Sequence, residues 1–194
     1  VHRWRSLPCH IHRSVTSTRY FVKLGGVRTS AGHGAGRSTV GIVTTTSETA
    51  FTQPPEQIYD FVTNPANWPK TYPGSAHVGQ VPEKLPLEVG DTWTETGPDG
   101  NRIFTWHLAM ATRPKLWMFT SVGNLGHDSD GDGGMPGRIT VQYEFSRPGE
   151  NITLFRRTMT IEAYRDHPLP DGFFRTVNPA NIDAYHAAVA RELG

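Results

Sequence analysis

Between Thr44 and Tyr72 the chain changes character three times, and the order of those changes leaves few folds open. A run rich in β-branched residues, Thr44-Thr45-Thr46-Ser47-Glu48-Thr49, favours an extended strand. It passes through Ala50 and Phe51 into Pro54-Pro55, and proline suits the first turn of a helix, where its missing N–H would have no partner anyway. Ile58, Phe61 and Val62 follow at i, i+3 and i+4, one apolar helical stripe. Asn64 then caps a second short helix with Pro65 at its first position, and Pro69 and Pro73 are expected to stop it.

After Gly74 the pattern turns to period two. Strands are expected at Ala76 to Val81, Thr92 to Thr96, Arg102 to Thr112, Leu116 to Val122, Arg138 to Ser146 and Ile152 to Tyr164. Asp99-Gly100, Arg113-Pro114, the glycine-rich stretch 123–137 and Pro148-Gly149 punctuate them, and successive hairpins argue for an antiparallel meander. Asn178-Pro179 opens a closing helix whose stripe is Ile182, Tyr185, Val189 and Leu193.

A two-residue hairpin on Asp99-Gly100 pairs Pro98 with Asn101, hence Glu95 with Phe104 and Trp93 with Trp106. One face then carries Trp93, Glu95, Arg102, Phe104, Trp106, Leu108 and Met110, while Thr94, Thr105 and His107 point the other way; a slip of one residue would reverse the assignment. Glu95 stands out because it shares a face with two tryptophans and a phenylalanine, surroundings that raise a carboxyl pKa. It reads either as a cavity acid or as a rim glutamate paired with Arg102. On the last strand Ile152 and Leu154 are out of phase with Phe155, Arg157, Met159 and Ile161, and a bulge near Phe155 would reconcile them. Arg157 then lies among apolar side chains and needs Glu95 or a ligand carboxylate as partner.

These residues together resemble the START-like, or SRPBCC, superfamily, which includes polyketide cyclases, lipid-transfer domains and plant Bet v 1-type proteins. The carriers are Phe51-x-x-Pro54-Pro55-Glu56-x-Ile58-Tyr59-Asp60-Phe61-Val62, Asn64-Pro65-x-x-Trp68-Pro69, Gly90-Asp91-x-Trp93-x-Glu95 and the closing amphipathic helix. The resemblance covers residues 44–194 and implies an α+β helix-grip fold, a curved antiparallel sheet around a C-terminal helix with two short helices after the first strand. It implies an apolar cavity between sheet and helix but no single chemistry. The expected lining is Trp68, Tyr72, Trp93, Glu95, Phe104, Trp106, Trp117, Phe119, Arg157 and Tyr185. The closing helix is shorter than is usual in the family, so the segment His167 to Val177 is read as completing the lid.

Charge divides the chain. Of its 19 bases and 18 acids, seven bases and no acid fall in residues 1–47, along with the single cysteine, Cys9. Residues 1–43 are read as a basic, disordered N-terminal extension, with three explanations open: a reading frame opened too far upstream, an organelle transit peptide, or a basic arm that touches phosphate. Within it, Gly32-His33-Gly34-Ala35-Gly36-Arg37-Ser38 looks like a phosphate loop but has Ala31 and Arg37 where glycine and lysine belong, so it is read as a linker. Asp128-Ser129-Asp130-Gly131-Asp132-Gly133 opens like a calcium loop, yet its twelfth position is Ile139, without the closing carboxylate.

No Ser-His-Asp order, zinc spacing or nucleotide fingerprint occurs, so no cofactor and no metal is expected. No apolar run approaches the roughly 20 residues of a membrane span. The partner expected is a small apolar molecule rather than nucleic acid; a homodimer is left open, and the cytoplasm is the expected compartment. The preferred function is binding of an apolar or aromatic, lipid- or polyketide-like ligand. The alternatives are a polyketide cyclase or dehydratase with Glu95 as general acid/base, helped by Arg157 or Tyr72, and a non-catalytic interaction protein using the basic arm. A filled aromatic core with no ligand at all also fits the pattern.

Overall fold

The computed structural model describes residues 21–25, 41–164 and 179–194. Among these residues eight antiparallel strands form one sheet in the order β1-β2-β8-β7-β6-β5-β4-β3. They are β1 (Phe21–Gly25), β2 (Ile42–Phe51), β3 (His77–Gly79), β4 (Thr92–Thr96), β5 (Ile103–Thr112), β6 (Leu116–Leu125), β7 (Met135–Gly149) and β8 (Ile152–Ala163). Helix α1 (Pro55–Val62) and the single turn α2 (Trp68–Thr71) lie between β2 and β3, joined by a 3-10 turn at Pro65–Asn67, and α3 (Pro179–Leu193) closes the chain. This is the expected α+β helix-grip arrangement: the meander β3 to β8 is completed by β2, and the sheet curves around the final helix.

The start of the fold follows its residues closely. Strand β2 alternates strictly, with Val43, Thr45, Ser47, Thr49 and Phe51 inward. Pro55 occupies the first turn of α1, which buries Ile58, Tyr59 and Val62, while Phe61 is only half-buried. Asn64 Oδ1 accepts from Ala66 N at 3.1 Å as the expected cap. Pro69 does not end the second helix; it sits in the first turn of α2, where a missing N–H costs nothing. Asp60 on α1 accepts two bonds from Arg113, at 2.7 and 2.8 Å, tying the helix to the β5–β6 turn.

Four sequence readings change in the sheet. The register Trp93–Trp106 and Glu95–Phe104 is present, but the turn is wider than two residues. Gly97 N donates to Arg102 O at 2.8 Å and Gly97 O accepts from Gly100 N at 2.9 Å, so Pro98 and Asp99 form the bend and Gly100 takes φ +72°. Pro98 has no N–H with which to complete a narrow pair to Asn101. In β5 the register shifts between Leu108 and Met110; the extra residue turns Met110 outward, 45 % exposed, and its alternation with Leu108 ends there. There is no bulge at Phe155. The irregularity lies opposite, between Ser146 and Gly149, and Ile152 and Leu154 simply face outward on a regular strand whose Thr153, Phe155, Arg157, Met159 and Ile161 face in. Finally, β1 pairs Phe21–Gly25 with Ile42–Thr46, so seven residues of the segment read as an extension, Phe21–Gly25 with Ile42 and Val43, belong to the sheet. The glycine linker, the lid segment His167 to Val177 and the Asn178 cap lie outside the described residues.

The calcium-like loop uses its first carboxylate on itself. Asp128 Oδ1 accepts from Asp130 N and Asp132 N, at 3.0 and 2.8 Å.

Candidate functional site

Two sets of aromatic side chains meet under α2, and they do different work. Trp68 is aimed inward because its indole N–H donates to Val62 O at 3.0 Å, while Asn67 Nδ2 donates to Phe61 O at 3.0 Å, which locks α2 onto α1. Below it Trp93 stacks on Trp117, with ring centres 5.5 Å apart, and Trp68 stands edge-on to both. Trp93 and Trp117 are essentially without solvent exposure and do not line the cavity. They are corrections to the expected lining: they fill the core behind the wall.

The wall itself encloses about 380 Å³ between the sheet, α2 and α3. Eight of the ten residues expected to line it do so: Trp68, Tyr72, Glu95, Phe104, Trp106, Phe119, Arg157 and Tyr185. Ile139, Val141, Tyr143 and Met159 complete the apolar side. Their signal was present in the sequence, since Tyr143 alternates with Ile139 and Val141, and Met159 shares the phase of Arg157. Gly74 belongs to the lining because a side chain there would strike the Tyr72 ring.

Glu95 is a cavity acid. It is 5 % exposed, and Trp106 Nε1 donates to its Oε2 at 2.8 Å while Oε1 has no hydrogen-bond partner. Burial pushes its pKa up to about 7, against the opposing pulls of the Ser75 hydroxyl, the Trp106 N–H and the Arg157 charge. Ser75 Oγ is buried near enough to act on the carboxyl, yet it too lacks a partner at hydrogen-bonding geometry. Arg102 does not reach Glu95; it pairs with Asp99 at 3.4 Å at the exposed tip of the hairpin, where both residues border the cavity mouth.

Arg157 faces the same space from β8 and is 4 % exposed. Its guanidinium carbon lies 5.4 Å from the centre of the Tyr72 ring and 5.9 Å from that of Tyr185, contacts in which a cation meets the π-face. Among the described residues it forms no ion pair within 4 Å, with Glu95 or any other carboxylate, and its Nε has no hydrogen-bond acceptor. Burial raises the pKa of Tyr72, Tyr143 and Tyr185, so all three remain neutral phenols.

In the sequence His186 reads only as one of several scattered histidines, although it sits on the same helical stripe as Ile182 and Val189. It has no solvent exposure; its Nδ1 contacts Thr49 Oγ1 across the helix–sheet junction and its Nε2 has no partner. Burial, reinforced by Arg157, lowers its pKa to about 3. It is not among the residues that line the cavity.

No protein-family model and no curated protein sequence matches the chain. Solved structures do. The crystal structure of Ara h 8.0201 superposes with a TM-score of 0.57 at 15 % identity, covering 79 % of this chain and 98 % of the other. A START superfamily protein from Mycobacterium smegmatis gives 0.56 at 10 % identity, over 77 % and 96 % of the two chains. A Thalictrum norcoclaurine synthase point mutant, solved with a transition-state analogue, gives 0.50 at 12 % identity, over 78 % and 94 %. At these identities the likeness is one of architecture, and it assigns this chain the START-like, or SRPBCC, helix-grip fold.

Proposed function

We propose that the protein binds a small, largely apolar, ring-bearing molecule between the sheet and α3. The observation that carries this reading is the cavity: about 380 Å³, walled mainly by aromatic and aliphatic side chains, with two ionisable groups, Glu95 and Arg157, set into it. That volume lies near the lower end of small-molecule sites, which run roughly 300–1,000 Å³, and suits a ring system better than a two-chain lipid. Burying about 300 Å² of such a ligand contributes roughly 7 kcal/mol before association costs, which corresponds to micromolar binding or weaker. No helix among the described residues is long and apolar enough to cross a membrane.

The test is native mass spectrometry of the purified protein followed by organic extraction, with a Val141→Phe variant that fills the cavity as the control. A bound apolar adduct that Val141→Phe loses supports the reading. An empty wild-type protein that also refuses a panel of ring-bearing ligands sinks it.

One observation favours a second reading, catalysis of proton transfer. Glu95, titrating at about 7 with a free oxygen in an apolar site, is suited to take a proton from carbon beside a carbonyl and return it, with Arg157 and Tyr72 stabilising the oxygen that becomes negative. The norcoclaurine synthase likeness supports only the point that this fold hosts enzymes. Glu95→Gln should then abolish turnover while ligand binding persists; unchanged turnover would remove the acid/base role.

A further inference from the structure

We infer that the ligand carries an acidic group, a carboxylate attached to its apolar ring-bearing body, and that Arg157 is the residue that receives it. This rests on the binding reading above and specifies the chemistry of what binds.

The argument starts from an imbalance of charge. Guanidinium stays protonated in any protein environment, so Arg157 cannot escape burial by losing its proton as a lysine would. A buried ion needs a counter-ion or a full set of hydrogen bonds. Among the described residues the groups around Arg157 provide no counter-ion and only part of such a set. Tyr72 and Tyr185 meet it with ring faces, at 5.4 and 5.9 Å, the hydroxyls of Tyr72 and Tyr143 lie near enough to act on its charge, and all three phenols stay neutral while Arg157 Nε keeps no acceptor. Glu95 stands beyond ion-pairing distance and already accepts from Trp106. What remains is a cation exposed only to the cavity, with an N–H that has no acceptor.

The shape of the site agrees. A carboxylate can take two parallel N–H donors from a guanidinium, and this planar pairing is the strong form of the interaction. Tyr185 Oη, buried on the same wall, lies near enough to the Tyr143 hydroxyl to act on it, without reaching hydrogen-bonding geometry. The rest of the wall, Phe104, Trp106, Phe119 and Val141, is apolar and suits the body of the ligand. An acid that entered with its carboxylate toward Arg157 would give its Nε an acceptor and leave its rings among rings.

The test compares two probes of nearly equal size, 2-naphthoate and 2-naphthalenemethanol, by isothermal titration calorimetry below Glu95's midpoint of about 7. Wild type should bind the acid about tenfold or more tightly than the alcohol, the range expected of a charge-assisted pair. Arg157→Met should erase that preference, so that acid and alcohol bind the variant within about twofold of each other, with the thermal midpoint of the protein without probe equal to or above wild type. Arg157→Lys, which keeps the charge without the fork, should retain part of the preference. If both probes bind wild type equally, the inference falls while the binding reading stands, and this comparison needs no variant to fold. If Arg157→Met lowers the midpoint and leaves the preference intact, Arg157 is structural and the inference falls. If neither probe binds wild type, the inference falls, and the binding reading falls with it when the ligand panel above is also refused.

Discussion

Replacing Glu95 with glutamine should change how the protein's stability depends on pH, and the effect can be worked out with its sign. In the free chain the carboxyl titrates at 4.5; in the fold burial moves it to about 7. Between those values the native state holds a proton that the unfolded state has released, so stability falls as pH rises, by about 1.4 kcal/mol per pH unit. The stabilisation is fully present below 4.5 and gone above about 7, a total of about 3 kcal/mol. His186 runs the other way. Its pKa drops from 6.5 to about 3, so between those values the unfolded state binds the extra proton and stability rises with pH, by about 5 kcal/mol in all. In the overlap, pH 4.5 to 6.5, the two slopes nearly cancel. Glu95→Gln keeps an acceptor for the Trp106 N–H and removes only the titration. The variant should therefore gain on wild type steadily from pH 4.5 to about 7, by about 3 kcal/mol over that range, because wild type loses the Glu95 contribution there while the His186 contribution is common to both and cancels. Urea unfolding of both proteins across this range measures it, and surface carboxylates drop out of the difference. A difference curve that is flat between pH 4.5 and 7 would refute the buried, proton-holding Glu95.

Two further outcomes probe the two aromatic sets. Trp93→Ala, behind the wall and fully buried, should cost about 3–5 kcal/mol in denaturant unfolding at unchanged slope, and a loss near zero would mean the stacked tryptophans are not the core support described here. Trp106→Phe removes the donor to Glu95 Oε2, so the carboxylate form loses a partner and the titration midpoint should move above about 7 by carbon-detected NMR; an unmoved midpoint would show that the indole N–H does not hold the carboxylate.

The sequence was most legible where local chemistry and long-range packing agree. Proline at a first turn, asparagine at a cap and apolar residues at helical spacing each act within a few residues, so α1 and the turn after it could be read directly. The register of β4 against β5 was legible for another reason: two independent patterns, the turn position and the alternation Phe104–Trp106–Leu108, required the same face. Errors arose where alternation alone had to carry the reading. Met110 continues the apolar pattern perfectly and still points outward, because an extra residue in one strand changes facing without changing composition. Trp93 and Trp117 point inward as their phase requires, but facing inward does not distinguish a wall from what lies behind it. That depends on how far Trp68 descends from α2, a contact across 25 residues from Trp93 and 49 from Trp117 that no local pattern records. His186 did not read as a core residue because a histidine on a helical stripe looks polar, and only the packing against Thr49 shows it to be a neutral core residue.

The distribution of unpaired polar atoms connects the fold to its use. A core that had only to be filled would be more stable with apolar side chains at positions 95 and 157, since an unpartnered buried charge destabilises and a hydrophobic replacement of similar volume is neutral or better. Glu95 and Arg157 are the two buried charge-bearing side chains that border the cavity, and Glu95 Oε1 and Arg157 Nε have no partner at hydrogen-bonding geometry among the described residues. The walls of the cavity are built by β4 to β8, each paired with the next along the sheet, and by α2, whose Trp68 packs edge-on against the stacked Trp93 and Trp117. Aromatic packing thus supports the cavity, and Glu95 and Arg157 are set into it where a ligand with an acid group and an apolar body would meet them. Fold stability and binding are set by different residues on the two sides of the same wall, which is why Trp93→Ala and Arg157→Met should separate them.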